Sequence, residues 1–523
     1  MVKIICAQKY VSFKENSLSY ELAKEELFDC ILIGRKLNDI NCRVAYLFMD
    51  PLIDSFEAAN RFFFSVFDFA SITKLNTYKS GAGPIQAIFD AKELIESGKY
   101  DAAIIAGYEP LLTSKRKYGK EKIEKAMQIF EDQNLMACYN DLARRMSQEM
   151  GWTREQFLFL ADKLYENYLR TYSMNTGSQV GYCRGKPMDL YQADWFRLTD
   201  CANPNIDFCG CIIVANDACA ESLKIDSDSN ITIAGAAYRL KIGSPNHIND
   251  IIGNKKALFY HLQQAVIAAQ EEAAMSILSE LEKGNLLMEA YTCYPPIPIA
   301  FLLTIGQYST FDEIVKMLEK YSITITGGMN FSRAPWNNPA FRAMIDMYHK
   351  MKEGEFGYGV VHGNGGIGEA QGVVILKKDD HQELLETPIS PPLAGIKVGM
   401  KAEIRRKFTI DEVRLYAKLS RDTNPIHLDD TYAARTIFGK RIVHGVLVAS
   451  QFGGIFGSTL PGKGAIHLGQ TLRFSKPIFV DEEVKILVEV IKVRTDKPVI
   501  TLRTVVEKEN GEIAIEGEAV VKI

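Results

Sequence analysis

Asp422-Thr-Asn-Pro-Ile-His427, and further on His444-Gly445, form the stretch on which the reading of this chain turns. Pro425 denies Asn424 the helical conformation and has no N–H of its own, so the chain must bend between the carboxylate and the imidazole. Gly445 then opens an apolar run through Val446, Leu447, Val448, Ala449, Phe452 and Ile455 to about Phe456, which predicts a helix buried on all sides. Around it lie strand-length pieces that alternate or run apolar: Gln470–Phe474, Glu483–Val493, Val499–Val506 and Ile513–Val521. A buried helix beside a set of short strands is the architecture these residues predict for the C-terminal part.

A carboxylate and an imidazole aimed at one point can take a proton from a water and deliver it elsewhere. An isolated D-x-N-P-x-H also fits a solvated surface turn. The surroundings favour chemistry. Tyr416-Ala-Lys-Leu-Ser-Arg-Asp422 through Ala433 resembles the signature of the MaoC-type (R)-specific enoyl-CoA hydratases. So do Ile442-Val-His-Gly-Val-Leu-Val-Ala-Ser450, Leu460-Pro-Gly-Lys-Gly464, Leu468–Phe474 and Gly517–Ile523. The resemblance implies a hot-dog fold over 395–523 and the reversible hydration of trans-2-enoyl-CoA to (R)-3-hydroxyacyl-CoA. It makes Asp422 and His427 the pair that holds and activates water. Gly445, at a helix start, would stabilise the enolate oxygen through its N–H; a packing glycine is the other reading. Arg421 departs from the signature, which usually has glycine there.

With 523 residues, the chain is too long for one ordinary core. A composition of 47% hydrophobic and 24% charged residues is that of a globular protein. A net charge of -4 gives no support for nucleic-acid or anionic-membrane binding. No apolar run reaches the ~18 residues of a membrane span, and the chain is read as cytoplasmic. All ten cysteines precede residue 294, with no C-x-x-C pair and no zinc spacing, so reduced thiols are expected. Cys209 and Cys211 fit one face of a buried strand.

Lys377–Leu393, charged and then proline-rich, reads as a linker; its bounds are set at 379–394. Before it, helix-like and strand-like patterns alternate, as in Ile85–Gly98 followed by Asp101–Gly107. Ser80-Gly-Ala-Gly through Glu109, Glu289–Pro296, Thr326–Asn338 and His362–Gly368 resemble thiolase loops of the acetyl-CoA acetyltransferase type. That resemblance implies an α/β thiolase-like five-layer fold over 1–378, with halves of about 1–225 and 226–378, preceding the α+β hot-dog domain.

The departures decide the chemistry. The position of the thiolase nucleophilic cysteine holds Tyr78, and a phenol of pKa ~10 is a poor acyl acceptor at neutral pH. Tyr291 stands for the oxyanion residue, Arg333-Ala-Pro335 replaces the Gly-His-Pro loop, and His362 stands near the last catalytic position. Condensation is not expected. A non-condensing acyl-CoA scaffold, a retro-aldolase acting on β-hydroxyacyl-CoA through Tyr291, and a wholly non-catalytic acyl-CoA-binding assembly subunit stay open. No cofactor or metal is implied beyond the coenzyme A thioester of the substrate. A homodimer or dimer of dimers is expected, because a single hot-dog sheet leaves an open edge.

Overall fold

The computed structural model describes the whole chain except residues 15–17, 54–56, 70–71, 73–74, 129–133, 179–193, 224–230, 242–250, 254–257, 307–309, 380–395, 463 and 495–496. The linker expected at 379–394 thus lies, but for its first residue, outside the described residues. The chain divides into two compact units, Met1–His381 and Gln382–Ile523.

The first unit is built on β1 (Val2–Ser12), β2 (Val44–Met49), β3 (Leu75–Tyr78), β4 (Ala102–Pro110), β5 (Asp207–Asn216), β6 (Ile231–Leu240), β7 (Leu286–Glu289), β8 (Tyr358–Gly365) and β9 (Ala370–Lys378). Their order is β3-β2-β4-β5-β1-β6-β9-β8-β7. The motif is duplicated. β1, β2, β4 and β5 are repeated by β6, β7, β8 and β9 with the same antiparallel and parallel pairings. The two halves are stitched together through Lys3 and Ile4 of β1 opposite Thr232 and Ile231 of β6.

Helices Gly83–Glu96 and Pro339–Glu353 lie between the halves, touching strands of both. Glycines allow the close approach: a Cβ on Gly210 of β5 would strike Ile345, and one on Gly363 of β8 or Gly372 of β9 would strike Ile85. Helices Tyr20–Glu26, Phe28–Asp39 and Ala58–Val66 cover one outer face with an aromatic core of Phe48, Phe62, Phe63 and Phe67. Tyr260–Ala273 packs on β6 and β9. This completes the five layers. Cys209 and Cys211 share one buried face of β5 with Cys6 and Cys30, and the nine described cysteines are free thiols.

The second unit has β10 (Lys401–Arg406), β11 (Ile466–Gln470), β12 (Arg473–Phe474), β13 (Val484–Val493), β14 (Val499–Lys508) and β15 (Ile513–Lys522). They pair antiparallel as β10-β13-β14-β15-β11, with β12 also on β15. Along β13 the period of two sends Val484, Ile486, Val488 and Val490 into the core. Against them lie helices Gly445–Ala449 and Gln451–Ser458, consecutive turns joined at Ser450.

One expectation is corrected. The central helix is not buried all round: Val448, Ala449, Phe452, Ile455 and Phe456 face the core, while Val446 is 54% exposed. Gly453, Gly454 and Gly457 occupy the open side, so the sheet of one chain covers a single stripe. Among the described residues, no helix of either unit is long and apolar enough to cross a membrane.

Candidate functional site

The helix Ile410–Ser420 starts with a capping box between Thr409 and Glu412 and ends at Arg421, whose φ of 60° is left-handed. That turn reverses the chain into Asp422. Asp422 Oδ1 accepts from Asn424 N at 3.3 Å, and Asn424 Oδ1 accepts from Ile426 N at 3.3 Å. Pro425 occupies the first position of the single turn Pro425–Leu428, where a missing N–H costs nothing, and His427 rides on that turn.

His427 is 9% exposed. Its Nδ1 lies 2.8 Å from the Ile442 carbonyl oxygen. A carbonyl only accepts, so Nδ1 carries the hydrogen and Nε2 keeps its lone pair. The ring lines a cavity of about 390 Å³ whose other walls include Phe438, Gly445, Val448, Phe474 and Ile515. A largely apolar chamber with the imidazole of His427 in its wall suits an acyl chain whose reactive carbons must meet a proton acceptor.

His444 lies face to face with His427, with ring centroids 3.8 Å apart and planes inclined by 26°. Its Nε2 is 3.1 Å from the main-chain oxygen of Asp422 and 4.0 Å from Asp422 Oδ2. Burial, together with the neighbouring His427, holds the His444 pKa below the usual histidine value. Asp422 itself is half exposed, with 52% of its side chain accessible, and is not among the residues lining the cavity. The structure therefore brings His427 and Gly445 to one chamber and ties Asp422 to them through His444.

Asp422, His427 and His444 each offer a potential metal ligand atom, all within 4.8 Å of one another. The two rings are stacked, so their in-plane lone pairs run alongside rather than converge, and each ring already donates to a carbonyl. The arrangement suits proton transfer better than coordination.

Gly445 opens the central helix, where main-chain N–H groups have no carbonyl one turn back. A Cβ there would sit 2.7 Å from the Phe474 ring. Close packing and a free helix start coincide at this residue.

The three thiolase-like candidates do not line one cavity. The Tyr78 hydroxyl donates to Asp90 at 2.7 Å and lines a separate polar cavity of about 490 Å³ with Lys79, Gln86 and Tyr238. Neither Tyr291 nor His362 lines that cavity. Burial and the Asp90 carboxylate both push the Tyr78 pKa up, away from any nucleophilic role. The Tyr78 hydroxyl is thus committed to Asp90 on the following helix.

Tyr291 and His362 do meet, with Tyr291 N donating to His362 Nδ1 at 3.4 Å. His362 then donates from Nε2 to Gln371 at 2.8 Å, and its ring stacks on Phe301. Gln371 donates to Asn364 Oδ1 at 2.6 Å, Asn364 to the Tyr139 hydroxyl at 3.1 Å, and Tyr139 to the Gly366 carbonyl at 2.8 Å. The side chains of Tyr139, Tyr291, His362, Asn364 and Gln371 are all buried, and burial lowers His362 to about 4 and raises the Cys293 thiol to about 12. A Cβ on Gly81 would overlap the Tyr291 hydroxyl, so the phenol fills the space beside the Ser80-Gly81 turn.

Sequence reasoning quoted His444 but gave it no role. It also missed Tyr139, Asn364 and Gln371. The step from His444 to the helix start was the available signal for the first; nothing local marks the others.

The chain belongs to the MaoC-like family, whose "MaoC like domain" matches residues 394–512. It is 50% identical over 129 residues to the (R)-specific enoyl-CoA hydratase of Aeromonas caviae, spanning 25% of this chain and 96% of that one. It is 38% identical over 128 residues to the (R)-specific enoyl-CoA hydratase of Rhodospirillum rubrum, spanning 24% and 88%. The first unit has the fold of a monomeric SCP2-thiolase-like protein type 1 from Mycobacterium smegmatis, with a TM-score of 0.52 at 15% identity over 72% of this chain and 77% of that one.

Proposed function

We propose that the protein is a hydro-lyase whose second unit adds water reversibly to trans-2-enoyl-CoA, giving (R)-3-hydroxyacyl-CoA. The observation that carries this is the tautomer of His427: Nδ1–H is committed to Ile442, leaving Nε2 as the base of a ring that lines a largely apolar chamber, with Asp422 within 4.8 Å of the histidine pair. Asp422 and His427 hold one water. As its oxygen bonds to the β-carbon its proton leaves to the pair, the thioester oxygen takes up enolate charge at the Gly445 N–H, and a proton returns to the α-carbon. No cofactor enters this sequence.

Asp422→Asn and His427→Ala in the full chain test it, assayed by loss of enoyl-thioester absorbance on crotonyl-CoA. Each is expected to lower turnover by about 10²–10⁴-fold with folding intact. Near-native turnover in both refutes the assignment.

The first unit acts in this reading as a non-condensing scaffold. Its support is the network around His362, in which both ring nitrogens and the Gln371 and Asn364 amides already serve another group. Tyr291→Phe and Tyr78→Phe are then expected to leave hydration unchanged, with no shortened acyl-CoA formed by the native protein. Two copies associate through the second unit: Ile466 and Leu468 on the edge strand β11, with Phe474, are each at least half exposed in the single chain. The free thiols fit work in a reducing cytoplasm.

A further inference from the structure

We infer that His444 is a positioning residue of the hydration site, its Nε2–H holding the Asp422 main-chain carbonyl so that the Asp422 carboxylate meets the water His427 deprotonates. The inference rests on the hydratase reading and assigns a third residue to that site.

Asp422 sits in a turn that fixes it poorly by itself. Among the described residues its other hydrogen bonds run to Ser420 and Asn424, its near neighbours in the chain. The bond to His444 spans 22 residues and joins the turn to the start of the central helix. His444 is 2% exposed and is held by His427, stacked at 3.8 Å, and by Tyr416, tilted against it at 5.0 Å between ring centroids. A half-exposed carboxylate is thereby anchored to a buried, immobile ring.

The tautomer follows from the partners. Nε2 faces a carbonyl and must donate, so the ring's lone pair lies on Nδ1, which is buried with no hydrogen-bond partner among the described residues. A proton on Nδ1 would bury an N–H without an acceptor and set a positive charge against His427. His444 is thus kept neutral, as a donor at one nitrogen. It is a poor proton carrier and a good fixed strut.

Packing alone would also bury a ring here, and three variants separate the two roles. His444→Phe keeps a flat ring on His427 and loses the donor. His444→Gln loses the ring and keeps an N–H of similar reach. His444→Met matches Gln in length without a donor. The Phe and Met variants are expected to lose about 10–100-fold in kcat with KM little changed, while Gln stays within a few-fold of native. In an Asp422→Asn background, His444→Phe is expected to have almost no further effect.

Native kcat in the Phe variant, or a Gln variant no better than Met, overturns the inference; so does full additivity with Asp422→Asn. Should the Phe variant fail to fold, the Gln and Met pair decides alone. Asp422→Asn and His427→Ala run alongside: if they retain turnover the hydratase reading itself falls, and if they lose it while the His444 variants do not, only the strut falls.

Discussion

His427 and His444 stack with their ring centroids 3.8 Å apart, and each ring gives its one hydrogen to a different main-chain carbonyl, that of Ile442 and that of Asp422. Two imidazoles at this distance cannot comfortably both be charged. The pairing keeps one nitrogen basic inside the chamber and turns the other ring into a tether. Proton acceptance and positioning are divided between residues that sequence spacing alone makes look equivalent.

Burial of neutral histidine makes stability depend on pH. In the first unit His362 is lowered from 6.5 to about 4, chiefly by burial. A depressed folded value means that the unfolded chain binds protons first, so stability is full above pH 6.5 and declines as pH falls towards 4. The limit is about 3 kcal/mol for a shift of this size. Glu289 runs the other way: burial raises it to about 7, so its contribution is full below pH 4.5 and declines as pH rises through 7. The two windows overlap with opposite slopes, so in the native chain they largely cancel between pH 4.5 and 6.5. Urea unfolding of the full chain at several pH values is expected to show stability falling with rising pH in His362→Gln and rising with it in Glu289→Gln; slopes unchanged from native would refute the assignment.

The Asn-Pro bend and the strands β13 to β15 were legible because each follows from a local rule: proline geometry for the first, period-two alternation for the others. β10 was not, since Lys401-Ala-Glu-Ile-Arg-Arg406 is an edge strand whose charge hides its pairing with β13. The central helix misled for a related reason. Glycines counted as apolar in the run, yet Gly453, Gly454 and Gly457 are what leave its second face bare. The duplicated halves share strand order rather than residues, so they follow from the thiolase resemblance and the strand pairings and not from any repeat in the sequence. Around His362 the deciding contacts span up to 227 residues, from Gly366 to Tyr139, beyond any spacing rule.

Arg421 carries a φ of 60°, a conformation that a side chain resists by about 1 kcal/mol and glycine does not. Arg421→Gly is therefore expected to stabilise the second unit by no more than about 0.5 kcal/mol, because glycine's entropy cost offsets most of the strain relieved. Turnover should change little, because the turn into Asp422 is preserved. Thermal unfolding checks the sign, and a destabilised variant with intact activity would show that the Arg421 side chain earns its place by another contact.

Gly445→Ala tests the helix start. The added methyl meets the Phe474 ring at 2.7 Å, so Phe474 must shift and the chamber narrows. The expected result is a fall of about ten-fold or more in kcat/KM, from a displaced N–H and a reshaped wall, with a stability loss of about 1–3 kcal/mol. Gly454→Ala is the control on the same helix, where a Cβ meets nothing within 4 Å. It should fold at least as well as native, and a control as damaged as Gly445→Ala would discount the steric argument.

Leu468 decides whether the open edge is an interface. It is 55% exposed beside Ile466 at 53% on β11, whose other side is paired to β15. An unpaired strand edge with apolar side chains is a template for another chain, and burying it in a second copy removes both liabilities. Leu468→Glu puts a charge on that edge, where each copy would meet its counterpart's charge and the two would repel. The native protein is expected to sediment as a dimer or larger at micromolar concentration and Leu468→Glu to shift towards monomer. Its turnover should fall with the loss of dimer and recover as protein concentration is raised, because the half-exposed Asp422 stands to gain cover from the partner. A native protein that sediments only as monomer would sink the interface, and a monomeric variant of full activity would show that the site is complete in one chain.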